Sequence, residues 1–127
     1  MTHIVLSVLL FLVGASAPDA PALSGAWTIN GDVQGTTYTE QCTFTQIDVA
    51  LTGKCGDGKI SHDLTGKIDG DKITFAHDSV YNDQGITLNY TGKIATDGSF
   101  TGSVEVEPFA VDGTFTATRT PVPAAAP

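Results

Sequence analysis

Residues 36–55 read TTYTEQCTFTQIDVALTGKC, and their alternation decides the fold. Thr37, Thr39, Gln41, Thr43 and Thr45 fall on one side of an extended chain, and Tyr38, Glu40, Cys42 and Phe44 on the other. Side chains two apart share a face in a strand, so this is a ribbon with one wet side and one dry side. The stretch Gln46 to Val49 interrupts it and predicts a hairpin. The simplest register across that hairpin sets Phe44 opposite Gly53 and Cys42 opposite Cys55, with both sulfurs pointing to the dry side.

The same period of two runs outward from there, and no helical period appears between Leu23 and Arg119. The spacing predicts eight strands, over 24–30, 36–46, 49–55, 60–68, 71–80, 85–94, 98–107 and 111–119. Breaks fall at Asn30-Gly31-Asp32, Gly56-Asp57-Gly58, Asp69-Gly70, Asn82-Asp83 and Thr96-Asp97-Gly98. Each lysine lands on a polar face or in a turn. Eight short strands with one dry face mean a sheet folded on itself, a barrel or a sandwich. Short connections between consecutive strands favour an all-β, antiparallel, up-and-down barrel. A weak repeat agrees: Leu51-Thr-Gly-Lys54, Leu64-Thr-Gly-Lys67, Tyr90-Thr-Gly-Lys93 and Phe100-Thr-Gly-Ser103 each turn a glycine inward, where it permits tight coiling and leaves room.

The two ends read differently. Residues 4–13 (IVLSVLLFLV) form an apolar run too short to span a bilayer but suited to a signal-peptide core, and small residues follow it. Residues 1–22 are therefore expected to be a signal peptide and short leader, rather than a buried first strand. The barrel domain is expected over 23–119. The last eight residues, TPVPAAAP over 120–127, carry three prolines and read as a disordered tail. Fourteen acidic against six basic residues, a net charge of −8, argue against nucleic acid and against an anionic membrane surface. Localisation is expected to be secreted or periplasmic, with no membrane span. There a Cys42–Cys55 pair should be oxidised, contributing about 3 kcal/mol on the chain-entropy model.

Gly25-Ala26-Trp27 at the start of the first strand and Arg119 at the end of the last resemble the opening and closing residues of the calycins, the barrel superfamily of lipocalins and avidins. The resemblance implies a calycin-like barrel in which Arg119 packs across Trp27 and closes one end, an attraction of about 1–2 kcal/mol when partly desolvated. Leu23-Ser-Gly-Ala-Trp27 with the two cysteines also looks similar to small periplasmic metalloprotease inhibitors of that superfamily, though the Thr-Gly repeats do not match them. Biotin binding is not carried over, because the chain has a single Trp.

Polar residues on the dry side mark the candidate site. A two-residue turn at Asp69-Gly70 would set His62 opposite His77 on the inner face, with Glu40 nearby on the second strand. Tyr38, Ser79, Tyr81, Leu88 and Tyr90 face the same interior. These groups fit four roles: a self-satisfied core, polar anchors for a mostly apolar ligand, a His/His/Glu metal site, or an acid–base pair drawn from Glu40, His62 and His77. The expected function is binding of a small hydrophobic or amphipathic molecule inside the barrel, with no cofactor and no metal. The alternatives are a protein inhibitor of a secreted protease and a small barrel enzyme of the isomerase, cyclase or lyase kind. Asn89-Tyr90-Thr91 is a glycosylation pattern. Asp57, Asp69 and Asp71 fit turn chemistry better than calcium.

Overall fold

The computed structural model describes residues 22–57 and 59–120. The segments read as an export signal and as a tail lie outside the described residues, apart from Ala22 and Thr120. The described chain forms eight strands: β1 (Gly25–Val33), β2 (Thr36–Ile47), β3 (Ala50–Gly56), β4 (Ser61–Asp69), β5 (Lys72–Tyr81), β6 (Gln84–Ile94), β7 (Phe100–Glu107) and β8 (Val111–Arg119). Every strand pairs antiparallel with the next, and β8 returns to β1, so the sheet is a closed up-and-down barrel. Closure leaves no strand edge unpaired. Among the described residues no helix is long and apolar enough to cross a membrane.

The inward and outward faces follow the alternation of the sequence, but two turns sit elsewhere. The first break was expected at Asn30-Gly31-Asp32; instead β1 runs through to Val33 and turns at Gln34-Gly35, both at positive φ (53° and 86°), as a primed hairpin turn needs. The β4–β5 turn was expected with Asp69-Gly70 at its centre. Its central residues are Gly70-Asp71, with Gly70 first at φ 60°, the position a type II′ turn reserves for glycine. That choice moves the register by one residue on each strand. Each side chain keeps its face, but its partner changes.

The interior is filled at one end and open at the other. Trp27, Phe44, Phe75, Tyr90, Phe100 and Phe115 are all buried. Trp27 and Phe100 lie 5.0 Å apart, Phe75 stacks on Tyr90 at 4.5 Å, and Phe115 meets Tyr90 edge-on at 4.9 Å. Each such aromatic pair adds about 0.5–1.5 kcal/mol beyond the apolar area it removes from water. The base is sealed as the calycin resemblance implied. Trp27 and Arg119 are cross-strand partners, and the guanidinium carbon lies 4.7 Å from the indole centroid. Arg119 also donates to the carbonyl oxygens of Ser24 (3.0 Å) and Ala22, while the indole N–H donates to Leu23 O at 2.8 Å. Gly25, at φ 130°, admits the guanidinium: a Cβ there would lie 3.0 Å from Arg119 Nη1.

The inward glycines of the repeat serve close strand approach more than interior room. A Cβ at Gly53 would fall 1.8 Å from the Thr43 carbonyl oxygen, and one at Gly102 would fall 1.9 Å from that of Thr91. The neighbouring backbone occupies the place of the missing side chain, which is how so small a barrel coils tightly enough to close.

Candidate functional site

Above the aromatic layer the barrel opens into a cavity of about 730 Å³. Its mouth is framed by the β1–β2, β3–β4, β5–β6 and β7–β8 connections. The wall is mostly apolar, with Val33, Ile86, Leu88, Val106 and Val111 facing in. Ile60, Val80, Tyr81 and Phe109 stand at the rim, between 44% and 62% exposed. Cavities of a few hundred to about 1,000 Å³ with apolar walls and a few convergent polar groups are the usual form of small-molecule sites.

The polar groups gather at the floor. β2 carries Glu40 inward and β5 carries His77 inward, and both are buried. Glu40 Oε1 accepts from His77 Nε2 at 2.9 Å and from the Tyr90 hydroxyl at 2.6 Å. The Tyr90 oxygen lies 2.9 Å from the Tyr38 hydroxyl, so the chain of donors runs Tyr38 to Tyr90 to Glu40. His77 Nδ1 lies 2.8 Å from the Asp78 carbonyl oxygen. A carbonyl only accepts, so Nδ1 carries a proton, and the imidazolium is the form that also donates Nε2–H to the carboxylate. Burial pulls the His77 pKa down, but the Glu40 hydrogen bond and charge outweigh it and hold it above the ordinary histidine value. Burial, with the Glu40 charge, pushes the Tyr38 phenol up to about 12 and raises Tyr90 as well, so both remain donors. Gly31 makes this arrangement possible, because a Cβ there would lie 2.2 Å from the Tyr38 ring.

The expected pairing of His62 with His77 does not form. With the turn at Gly70-Asp71, His77 lies opposite Leu64. The β3–β4 register has also moved by one residue on each strand, so His62 lies opposite Cys55 rather than Gly53. His62 is half-buried, lines the cavity and makes no side-chain hydrogen bond among the described residues. Of the three acid–base candidates, Glu40 and His77 are brought together and His62 stands apart. Tyr38, Ser79, Tyr81 and Leu88 line the cavity, Tyr81 at its rim, while Tyr90 lies beneath the floor and is not part of the lining.

The cysteines bond as the first register required. Cys42 and Cys55 are cross-strand partners joined in a disulfide across 13 residues of sequence. Cys42 Sγ lies 4.0 Å from Glu40 Oε1, and the three residues form the one close group of metal-ligand types among the described residues. Disulfide sulfurs are not thiolates, so the group does not offer the donor set of a metal site. At the rim, Asp57 Oδ1 accepts from the backbone N–H groups of Lys59 and Ile60, which holds its carboxyl below the usual range and accounts for this aspartate by turn chemistry.

The reading of the sequence missed Gly31, taken there for a turn, and the rim residues Val80 and Phe109. Gly31 continues the inward series Gly25, Trp27, Ile29, and that parity was the available signal. The chain matches no protein-family model, and neither a curated protein nor a solved structure shows significant similarity to it.

Proposed function

We propose that this protein is an exported, calycin-like barrel that binds a small apolar or amphipathic molecule in the open half of its interior. One observation carries the proposal: the aromatic core stops part-way up the barrel, leaving a cavity of about 730 Å³ with an apolar wall, an apolar rim and a polar floor. A core that served stability alone would be filled, because interiors close-pack and unfilled apolar volume costs stability. The apolar leader segment and the oxidised Cys42–Cys55 pair support a secreted or periplasmic setting.

The competing readings have less to draw on. The Leu23–Trp27 stretch, which carried the likeness to protease inhibitors, is engaged in sealing the base. Both nitrogens of His77 are engaged by Glu40 and the Asp78 carbonyl, which leaves an acid–base mechanism only the carboxylate to act with. The test is native mass spectrometry of protein taken from its natural compartment, followed by thermal-shift titration with neutral hydrophobic compounds. A co-purified small molecule, or a class of compounds that raises the melting temperature in a saturable way, supports the proposal. Recovery of an empty protein that no apolar compound stabilises refutes it.

A further inference from the structure

The floor of the cavity specifies more than an apolar guest. Glu40 Oε1 is occupied by Tyr90 and His77. Among the described residues no donor reaches Oε2 and no partnerless polar side-chain atom is sealed from solvent; Glu40 lines the cavity, so Oε2 opens onto it. The neighbouring polar atoms are already engaged: the Tyr38 hydroxyl with Tyr90, and His77 with Glu40 and Asp78. The floor therefore presents one strong, unfilled acceptor and calls for a donor.

The charges on the wall narrow the choice. Among the described residues the lining contains Glu40, Asp57, His62 and His77 but no Lys or Arg. A carboxylate, sulfate or phosphate head brought to the floor would lose its water without gaining a free cation there, because both His77 nitrogens are held by Glu40 and the Asp78 carbonyl, and it would face Glu40. An ammonium head would find the Glu40 charge already shared with His77. Resting on the ligand-binding reading above, we infer that the cavity takes an uncharged amphiphile whose polar end is a hydroxyl, donating to Glu40 Oε2, with its apolar body running out between Leu88, Val106 and Val111 to the rim.

A matched series of ten-carbon probes tests this: 1-decanol, nonyl methyl ether, decanoate and decylammonium, titrated at neutral pH by native mass spectrometry and thermal shift. The alcohol should bind at least about ten-fold tighter than the ether, which fills the same space but cannot donate, because a hydrogen bond to a charged acceptor is worth roughly that factor or more. The alcohol should also surpass both ions. In Glu40→Leu its advantage over the ether should vanish; if that variant does not fold, the wild-type series alone decides. Ether and alcohol binding equally would overturn the head-group assignment and leave the cavity reading standing. Decanoate binding most tightly would overturn it too; loss of that binding in His62→Ala would place the head at His62. Failure of all four probes would bring down the cavity reading itself.

Discussion

Replacing Tyr90 with Phe removes one oxygen from the middle of the floor network and leaves the ring stacked on Phe75. The lost atom donates to Glu40 at 2.6 Å and lies 2.9 Å from the Tyr38 hydroxyl. A hydrogen bond to a charged partner contributes about 1.5–3 kcal/mol and a neutral one about 0.5–1.5 kcal/mol. Glu40 keeps its bond to His77, and the half-buried Tyr38 hydroxyl can turn to water, so the two losses together come to about 2–4 kcal/mol. For a domain of this size that is a fall in melting temperature of roughly 8–30 °C. Tyr38→Phe breaks only the neutral bond and should cost about 0.5–1.5 kcal/mol. Urea unfolding followed by fluorescence measures both, since the chain's single Trp, Trp27, is fully buried in the base and reports opening of the barrel. An equal cost for the two variants, or a Tyr90→Phe cost below about 0.5 kcal/mol, would mean that the carboxylate does not depend on Tyr90 and that the floor is not the coupled network described.

Other consequences concern pH and the disulfide. The His77 pKa is raised on folding, so its contribution is complete below the unfolded histidine value near 6.5 and fades as pH climbs through the folded value. Melting temperature should therefore decline on the alkaline side of neutrality, and decline again above pH 10 as Tyr38, pushed up to about 12, begins to ionise in the unfolded chain first. In Glu40→Gln the first slope should shrink, because burial of His77 is then opposed only by the Asp78 carbonyl and charge; an unchanged slope in a calorimetric pH series would exclude the pair as its source. The Cys42→Ala/Cys55→Ala double variant reopens a loop of 13 residues' separation and should lose about 3 kcal/mol, or about 12–24 °C of melting temperature. In the wild type both cysteines are buried, so mild reductant applied to the native protein should leave melting unchanged until the barrel opens.

What was legible in the sequence was parity, and what was not was register. Parity is a strong signal here because each misplaced residue would turn a Phe or Ile to water or a Thr or Lys to the core. The inward set Tyr38, Glu40, Cys42, Phe44 and the outward set Thr37, Thr39, Gln41, Thr43, Thr45 accordingly stand where they were read. Register depends on turn chemistry, which rests on one or two residues. Asp69-Gly70 and Gly70-Asp71 are both acceptable hairpin centres, the first for type I′ and the second for type II′. Their difference is one residue on each strand, which alters no side chain's face and so costs the hydrophobic pattern nothing. It does change who meets whom. Under the first register two histidines would have stood abreast, a pairing that suits a metal. Under the second, His77 stands opposite Leu64 and His62 opposite Cys55, and the carboxylate partner of His77 comes from Glu40, 37 residues away on β2. The hairpin registers brought Glu40 near the histidines, but which of them it meets is decided only once the barrel has curled β2 toward β5. A barrel's core composition thus follows from alternation, while the chemistry of its floor follows from turn type. The same logic ranks the perturbations: an outward Thr exchanged for Ser should leave the floor untouched, whereas forcing the β4–β5 turn onto Asp69-Gly70, a shift of one residue on each strand, would draw His77 away from Glu40 without turning a single core side chain outward.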